Sequence, residues 1–177
     1  MRRLAWGLLS NLILAAAVPA ADTVVQTCFT PQTRCSALII REVDRAKTEL
    51  LIAVYAFTSQ ELADAVVRAK RRGVNVQVVI DREFDTANER SRGRFLESQR
   101  VAVRRVSGAR SDGAEGEAGL MHQKFAIVDR SIVFTGSYNW TYAADRFNEE
   151  NLLMFRNAGA LAEEYRKAFT RLWEKKN

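Results

Sequence analysis

Residues 46–81 read AKTELLIAVYAFTSQELADAVVRAKRRGVNVQVVID, and this stretch decides the fold. Within it, residues 49–57 (ELLIAVYAF) form an apolar run of strand length, as in a strand buried on both faces. Thr58 and Glu61 stand three apart ahead of a helical pattern, a capping box that predicts a helix opening at Thr58. Gly73 closes that helix, since glycine accepts the left-handed backbone that follows a helix end. Residues 74–80 (VNVQVVI) are β-branched and predict a second strand. Strand, helix and strand joined by short connections predict a β–α–β unit with a right-handed crossover.

Upstream, residues 36–47 place Leu38, Ile39, Val43 and Ala46 on one helical face. Residues 23–29 hold a short β-branched run, and Pro31 marks the turn between the two. Downstream, Thr86 and Glu89 predict a third capped helix running to about Gln99, followed by a strand over 101–106. Residues 107–119 (SGARSDGAEGEAG) contain four glycines and no apolar residue larger than alanine. They predict a flexible loop, with a functional lid and a tolerated surface insertion both open. Two apolar runs, 125–128 and 132–134, flank Asp129, Arg130 and Ser131 and read as a hairpin. A last strand is expected over 151–155. An amphipathic helix is expected over 158–175, with Leu161, Tyr165, Phe169 and Leu172 on its apolar side. The expected fold class is α/β, one domain over 21–177, with a mixed, largely parallel central sheet flanked by helices.

The chain has 177 residues, 47% hydrophobic and 27% charged, with two prolines, a composition that excludes a disordered or low-complexity protein. Its start differs from the rest. Arg2 and Arg3 precede an apolar stretch, 4–18, and Val18-Pro19-Ala20 offers small residues for cleavage. Residues 1–20 therefore read as a secretory signal peptide, with an uncleaved inner-membrane anchor as the alternative. The cleaved chain is expected in the periplasm or outside the cell. Removing 1–20 takes two arginines and no acids, and the net charge falls from +6 to +4. That charge suits a polyanion such as nucleic acid, or an anionic membrane surface. Arg68, Lys70, Arg71 and Arg72 suit a helix C-terminus, and Arg90, Arg92, Arg94, Arg100, Arg104 and Arg105 form a second basic group. Cys28 and Cys35 are the only cysteines. In an exported chain they are candidates for a small disulfide loop, with two reduced thiols as the alternative.

The chemistry concentrates in residues 122–139, HQKFAIVDRSIVFTGSYN. His122 and Lys124 are two apart and share a face if they lie on one strand. Ser137 and Asn139 share a face after the next strand, close to the first pair if the hairpin forms. Imidazole can attack or carry a proton near neutral pH. The lysine ammonium, asparagine amide and serine hydroxyl can hold the oxygens of a pentacovalent phosphorus. No acidic cluster stands nearby to hold a divalent ion, so phosphoryl transfer through histidine without a metal or other cofactor is expected.

The spacing H-x-K-x4-D-x6-G-S-x-N is met in full by His122, Lys124, Asp129, Gly136, Ser137 and Asn139. It resembles the signature of the phospholipase D superfamily, and within it the chain resembles the small single-motif bacterial endonucleases of the Nuc type. Residues 46–81 resemble that family's first β–α–β unit, and Asn148, Glu149, Glu150 and Asn151 resemble the segment after its motif. The resemblance implies that His122 attacks phosphorus and forms a phosphohistidine. Lys124 and Asn139 would bind non-bridging oxygens with Ser137 assisting, and Glu150 would orient a catalytic histidine. Asp129 would hold the turn after the first strand, and Gly136 would permit tight packing below the phosphate.

Larger members carry two motifs; this chain carries one, with a single histidine. In-line displacement needs a nucleophile on one side of phosphorus and a proton donor for the leaving oxygen on the other. A second copy of the chain must supply the donor, so a homodimer with one shared active site is expected. The leading expectation is an exported, metal-independent endonuclease acting on DNA, with RNA as a further substrate. The alternatives are a phospholipase acting on an anionic lipid such as cardiolipin, which a retained membrane anchor would favour, and a non-catalytic nucleic-acid-binding module. Tyr138 and Trp140 are expected to pack rather than to stack on bases, and Phe57 to lie in the core.

Overall fold

The computed structural model describes residues 21–109 and 118–176. The expected signal peptide over 1–20 and the centre of the expected loop, 110–117, lie outside the described residues. In chain order the elements are β1 (Val24–Thr30), α1 (Cys35–Arg45), β2 (Glu49–Val54), α2 (Gln60–Arg71), β3 (Asn75–Asp81), α3 (Arg82–Ala87), α4 (Gly93–Ser98), β4 (Ala102–Val106), β5 (Lys124–Val128), β6 (Ile132–Gly136), α5 (Tyr142–Arg146), β7 (Glu150–Arg156) and α6 (Gly159–Glu174).

The strands form one mixed sheet in the order β1-β7-β6-β5-β2-β3-β4. β2 is buried along its length because it lies between β3 and β5 with helices over both faces. Its residues alternate between two cores. Leu50, Ile52 and Val54 pack with Ile39, Val66 and Phe134 on the side of α1 and α2. Leu51 and Ala53 pack with Phe125, Ile127 and Phe169 on the side of α6. Among the described residues no helix is long and apolar enough to cross a membrane.

The sheet is less parallel than expected. β2 pairs with β3, and β3 with β4, in parallel; the pairs β2–β5, β5–β6, β6–β7 and β7–β1 are antiparallel. The cause is the length of the connections. The helical crossovers through α2 and through α3 and α4 return the chain in parallel, whereas the three-residue turn between β5 and β6 can only reverse it. In that turn Asp129 and Arg130 take φ of 48° and 55°, and Ser131 N–H donates to Val128 O at 3.1 Å. Two positive φ values match the right-handed twist of a hairpin.

Two helix starts differ from expectation. α2 opens at Gln60 with Ser59 as its cap, not Thr58. The N–H groups of Thr58 and Ser59 both donate to Trp140 O, at 2.9 and 3.0 Å, which holds this backbone extended. Glu61 pairs with Arg34 at 2.7 Å instead of folding back on the cap. The third helix is two short ones, neither capped by Thr86. Asp81 caps α3 by accepting from Phe84 N–H at 2.9 Å, and Thr86 lies inside it, donating to Arg82 O at 2.8 Å. The buried Asp85 carboxylate breaks the run by accepting from Ser91 Oγ and from Gly93 N–H and pairing with Arg105. A side chain at Gly93 would collide with that carboxylate.

The described ends of the 107–119 segment are tied together. Gly119 N–H donates to Ala109 O at 2.7 Å, and Lys175 Nζ donates to the carbonyls of Ser107 and Gly108 at 2.6 and 2.7 Å. At the other end of the chain, Cys28 of β1 and Cys35 of α1 form a disulfide.

Asp129 also joins the β5–β6 turn to the start of β2, the neighbour of β5 in the sheet. Its carboxylate accepts from the N–H groups of Lys47, Thr48 and Glu49 and from Thr48 Oγ1, at 2.8–3.1 Å. Burial opposes its charge, but the amide bonds from Thr48, Glu49 and Lys47 outweigh burial and hold the carboxyl below its usual range. Asp129→Ala is expected to destabilise the fold by about 2–3 kcal/mol, read from urea unfolding. Because the folded pKa is depressed, the stabilisation is full above the ordinary aspartate value of about 3.9. It is lost as pH falls through the folded value, so the two proteins' urea midpoints should converge in acid. A constant difference down to low pH would contradict the assignment.

Candidate active site

β2, β3 and β6 end at the edge of the sheet where β5 and β7 begin: Val54 pairs with Lys124, and Gly136 with Leu152. That shared edge gathers residues far apart in sequence. His122 is exposed and lies just before β5, not within it. Its neighbours fix it from both sides. Met121 N–H donates to the buried Asp81 carboxylate at 2.8 Å, and Gln123 O accepts from Tyr55 N–H at 2.8 Å. The His122 ring stands edge-on to Tyr55, centroids 4.9 Å apart. Lys124 Nζ lies 5.5 Å from the centre of the same ring and donates to His122 O at 3.0 Å. Both candidate side chains therefore flank Tyr55. Burial holds Lys124 below the usual lysine range, while the charge of Glu150 pulls the other way. Burial strengthens whatever this ammonium does to a phosphate oxygen.

The second half of the motif approaches from β6. Ser137 Oγ donates to Glu150 Oε2 at 2.6 Å and accepts from Asn151 N–H at 3.0 Å. Glu150 Oε1 accepts from the Asn148 amide at 3.1 Å. Both oxygens of Glu150 are thus engaged, and among the described residues no side chain hydrogen-bonds the His122 ring. Asn139 Oδ1 accepts from Ala56 N–H at 3.3 Å, which leaves its amide N–H groups to donate. Gly136 has φ of 146°, and a Cβ there would stand 2.3 Å from Asn151 O. That carbonyl accepts from Ser137 and Tyr138 N–H at 3.1 and 3.3 Å. The bare glycine lets β6 come close enough for Ser137 to reach Glu150.

Tyr138 and Trp140 alternate with these residues and point into the core, 1% and 2% exposed, so neither is available to a base. Trp140 meets the buried Phe57 edge-on at 5.1 Å. Tyr138 Oη donates to Asp145 at 2.9 Å, and Asp145 also accepts from Ser36 N–H and Oγ. Burial, then the neighbouring Asp145 charge, push the Tyr138 phenol up, so it stays a neutral donor. In the second basic group Arg105 pairs with Asp85 and Glu97, and Arg104 donates to Lys175 O. In the first, Arg68 pairs with Asp44.

Two positioning residues escaped the sequence reading. Tyr55 was hidden in an apolar strand run, where its hydroxyl-bearing ring at the strand end was the available signal. Asp81 follows VNVQVVI directly, and a carboxylate between strand and helix reads only as a cap. It is one, but its second oxygen holds Met121 and so the backbone of His122. Among the described residues no three His, Cys, Asp or Glu side chains converge as metal ligands.

Comparison with known proteins gives the family. A family model described as cardiolipin synthase, PLD-like domain, matches residues 39–173. A phospholipase D of Rickettsia felis is 33% identical over 141 residues, which are 80% of this chain and 65% of that protein. The chain thus spans just under two thirds of that relative. A mitochondrial cardiolipin hydrolase of Xenopus laevis is 32% identical over 166 residues, 88% of this chain and 74% of the relative. Among solved structures, the phospholipase D family member Nuc of Salmonella typhimurium superposes with a TM-score of 0.75 at 30% identity, over 86% of this chain and 95% of Nuc. With its one complete motif on the sheet edge and its match along nearly all of Nuc, the chain belongs to the phospholipase D superfamily, in the single-motif form that Nuc represents.

Proposed function

We propose that this protein is an exported phosphodiesterase that cuts nucleic acid without a metal ion, at a site completed by a second copy of the chain. The observation that carries the reading is the exposed His122, flanked by Lys124 and Tyr55, in a chain with no other histidine. In this reading His122 attacks phosphorus and the bond to the leaving oxygen breaks. His122 of the second copy gives that oxygen its proton, then takes one from the water that attacks the phosphohistidine. Lys124 and the Asn139 amide hold the non-bridging oxygens. Glu150 keeps the Ser137 hydroxyl in place beside them. The net positive charge and the resemblance to Nuc-type endonucleases favour DNA, with RNA as a further substrate.

The leader and the Cys28–Cys35 disulfide support export to the periplasm or beyond, or display at the inner membrane if residues 1–20 are retained. A second reading, hydrolysis of an anionic lipid such as cardiolipin, is favoured by the name of the Xenopus relative. A substrate panel separates the readings. Purified protein is given plasmid, single-stranded DNA, RNA and cardiolipin vesicles, each with excess chelator. Nucleic-acid cleavage that survives the chelator is expected. Activity lost to the chelator sinks the metal-free mechanism, lipid hydrolysis alone sinks the nuclease, and binding without turnover leaves a non-catalytic binding module.

A further inference from the structure

Beside Tyr55, on the side of α3, lies an open cleft of about 670 Å³. Tyr55 is shared between this cleft and the catalytic edge, since the same ring meets His122 at 4.9 Å and Phe84 at 5.3 Å. Leu120, 49% exposed and two residues before His122, lines it as well. These three side chains give it an apolar, aromatic wall. The rest of the lining includes Glu83, Glu89 and Arg90. Among the described residues neither glutamate side chain has a hydrogen-bond or ion-pair partner, in contrast to Glu61 and Glu97.

This lining selects its occupant. Two carboxylates repel a phosphate, so the cleft is no path for the backbone itself. A lipid acyl chain would strip water from both carboxylates with nothing to replace it. A planar base meets both halves of the lining: its face lies on Tyr55 and Phe84, and an exocyclic amino group donates to a carboxylate. Such a base must be unpaired to enter. Arg90 also lines the adjoining cleft beyond this one, where it can meet the next phosphate.

We propose that the cleft formed by Tyr55, Phe84, Leu120, Glu83 and Glu89 binds the base next to the scissile phosphate of a single strand, and prefers bases bearing an exocyclic amino group. The proposal rests on the nuclease reading above and makes the enzyme unequal in its treatment of sequence. Cytosine and thymine separate the effect from stacking, because both are pyrimidines and differ at C4 in amino against carbonyl.

The test uses oligo-dC and oligo-dT of equal length, at a pH where cytosine N3 is unprotonated. A base-less diester, bis(p-nitrophenyl) phosphate, calibrates each preparation. Wild-type protein is expected to cut oligo-dC faster than oligo-dT by roughly fivefold or more. In the E83Q/E89Q double variant, where both exposed side chains keep their shape, that ratio should fall towards one. Equal rates on the two strands in the wild type, or a ratio unchanged in the variant, would overturn the subsite while leaving the nuclease intact. Hydrolysis of the base-less diester or of cardiolipin vesicles, with neither strand cut, would overturn the nuclease reading and the subsite together.

Discussion

His122→Ala is expected to reduce phosphodiester turnover by about 10⁴-fold or more while leaving the fold unchanged. The side chain is exposed, and its backbone is held through Met121 and Gln123 rather than through the ring. Its loss removes the proposed nucleophile and, in the proposed shared site, the acid as well, which is why the expected effect is large. Mixing gives the sharper result. Wild-type and His122→Ala subunits allowed to exchange in equal amounts form about one quarter wild-type homodimers and one half heterodimers. If each reaction needs both histidines, activity falls on exchange to about half of its unmixed value, which is about a quarter of that of the same total amount of wild-type protein. Heterodimers with full activity per dimer would show that one histidine suffices and that the site is not shared.

Among the described glycines, Gly136→Ala is expected to be the most damaging change to alanine. The added Cβ would lie 2.3 Å from the carbonyl oxygen of Asn151, which is backbone near the start of β7, fixed by the N–H groups of Ser137 and Tyr138, and cannot swing away. The φ of 146° adds conformational strain for any L side chain. Together they predict a loss of about 3 kcal/mol or more. The same displacement would move Ser137 from Glu150 and Asn151, so residual folded protein should also turn over slowly. Gly73→Ala is the control. Gly73 also has positive φ, 90°, but nothing stands within 4 Å of its added Cβ, so only strain of about 1 kcal/mol is expected. Equal losses in the two variants, measured by urea unfolding, would show that close approach at Gly136 is unimportant.

The contrast between these glycines shows what is legible in a sequence. Gly73 was readable because it ends a helical pattern, and its conformation follows from its immediate neighbours. Gly136 was readable only through a family motif, since the atom that excludes a side chain there belongs to Asn151. The Thr58 cap slipped by one residue for the same reason: the carbonyl that holds Thr58 and Ser59 extended is that of Trp140. The expected helix from Thr86 split because Asp85 is buried against Ser91, Gly93 and Arg105, and no local pattern signals that burial.

By itself the sequence determined the alternation of strands and helices, the hairpin turning at Asp129, Arg130 and Ser131, the burial of Phe57, Tyr138 and Trp140, and the set of groups from His122 to Asn139. These follow from periodicity, caps and short spacings, which act over a few residues. Only the tertiary structure decided that most neighbouring strands are antiparallel, that Tyr55 stands between His122 and Lys124, that Asp81 fixes the backbone ahead of His122, and that Glu150 is engaged by Ser137 and Asn148. Each of these joins segments whose separation in the chain carries no preferred distance, so packing alone sets which atoms meet.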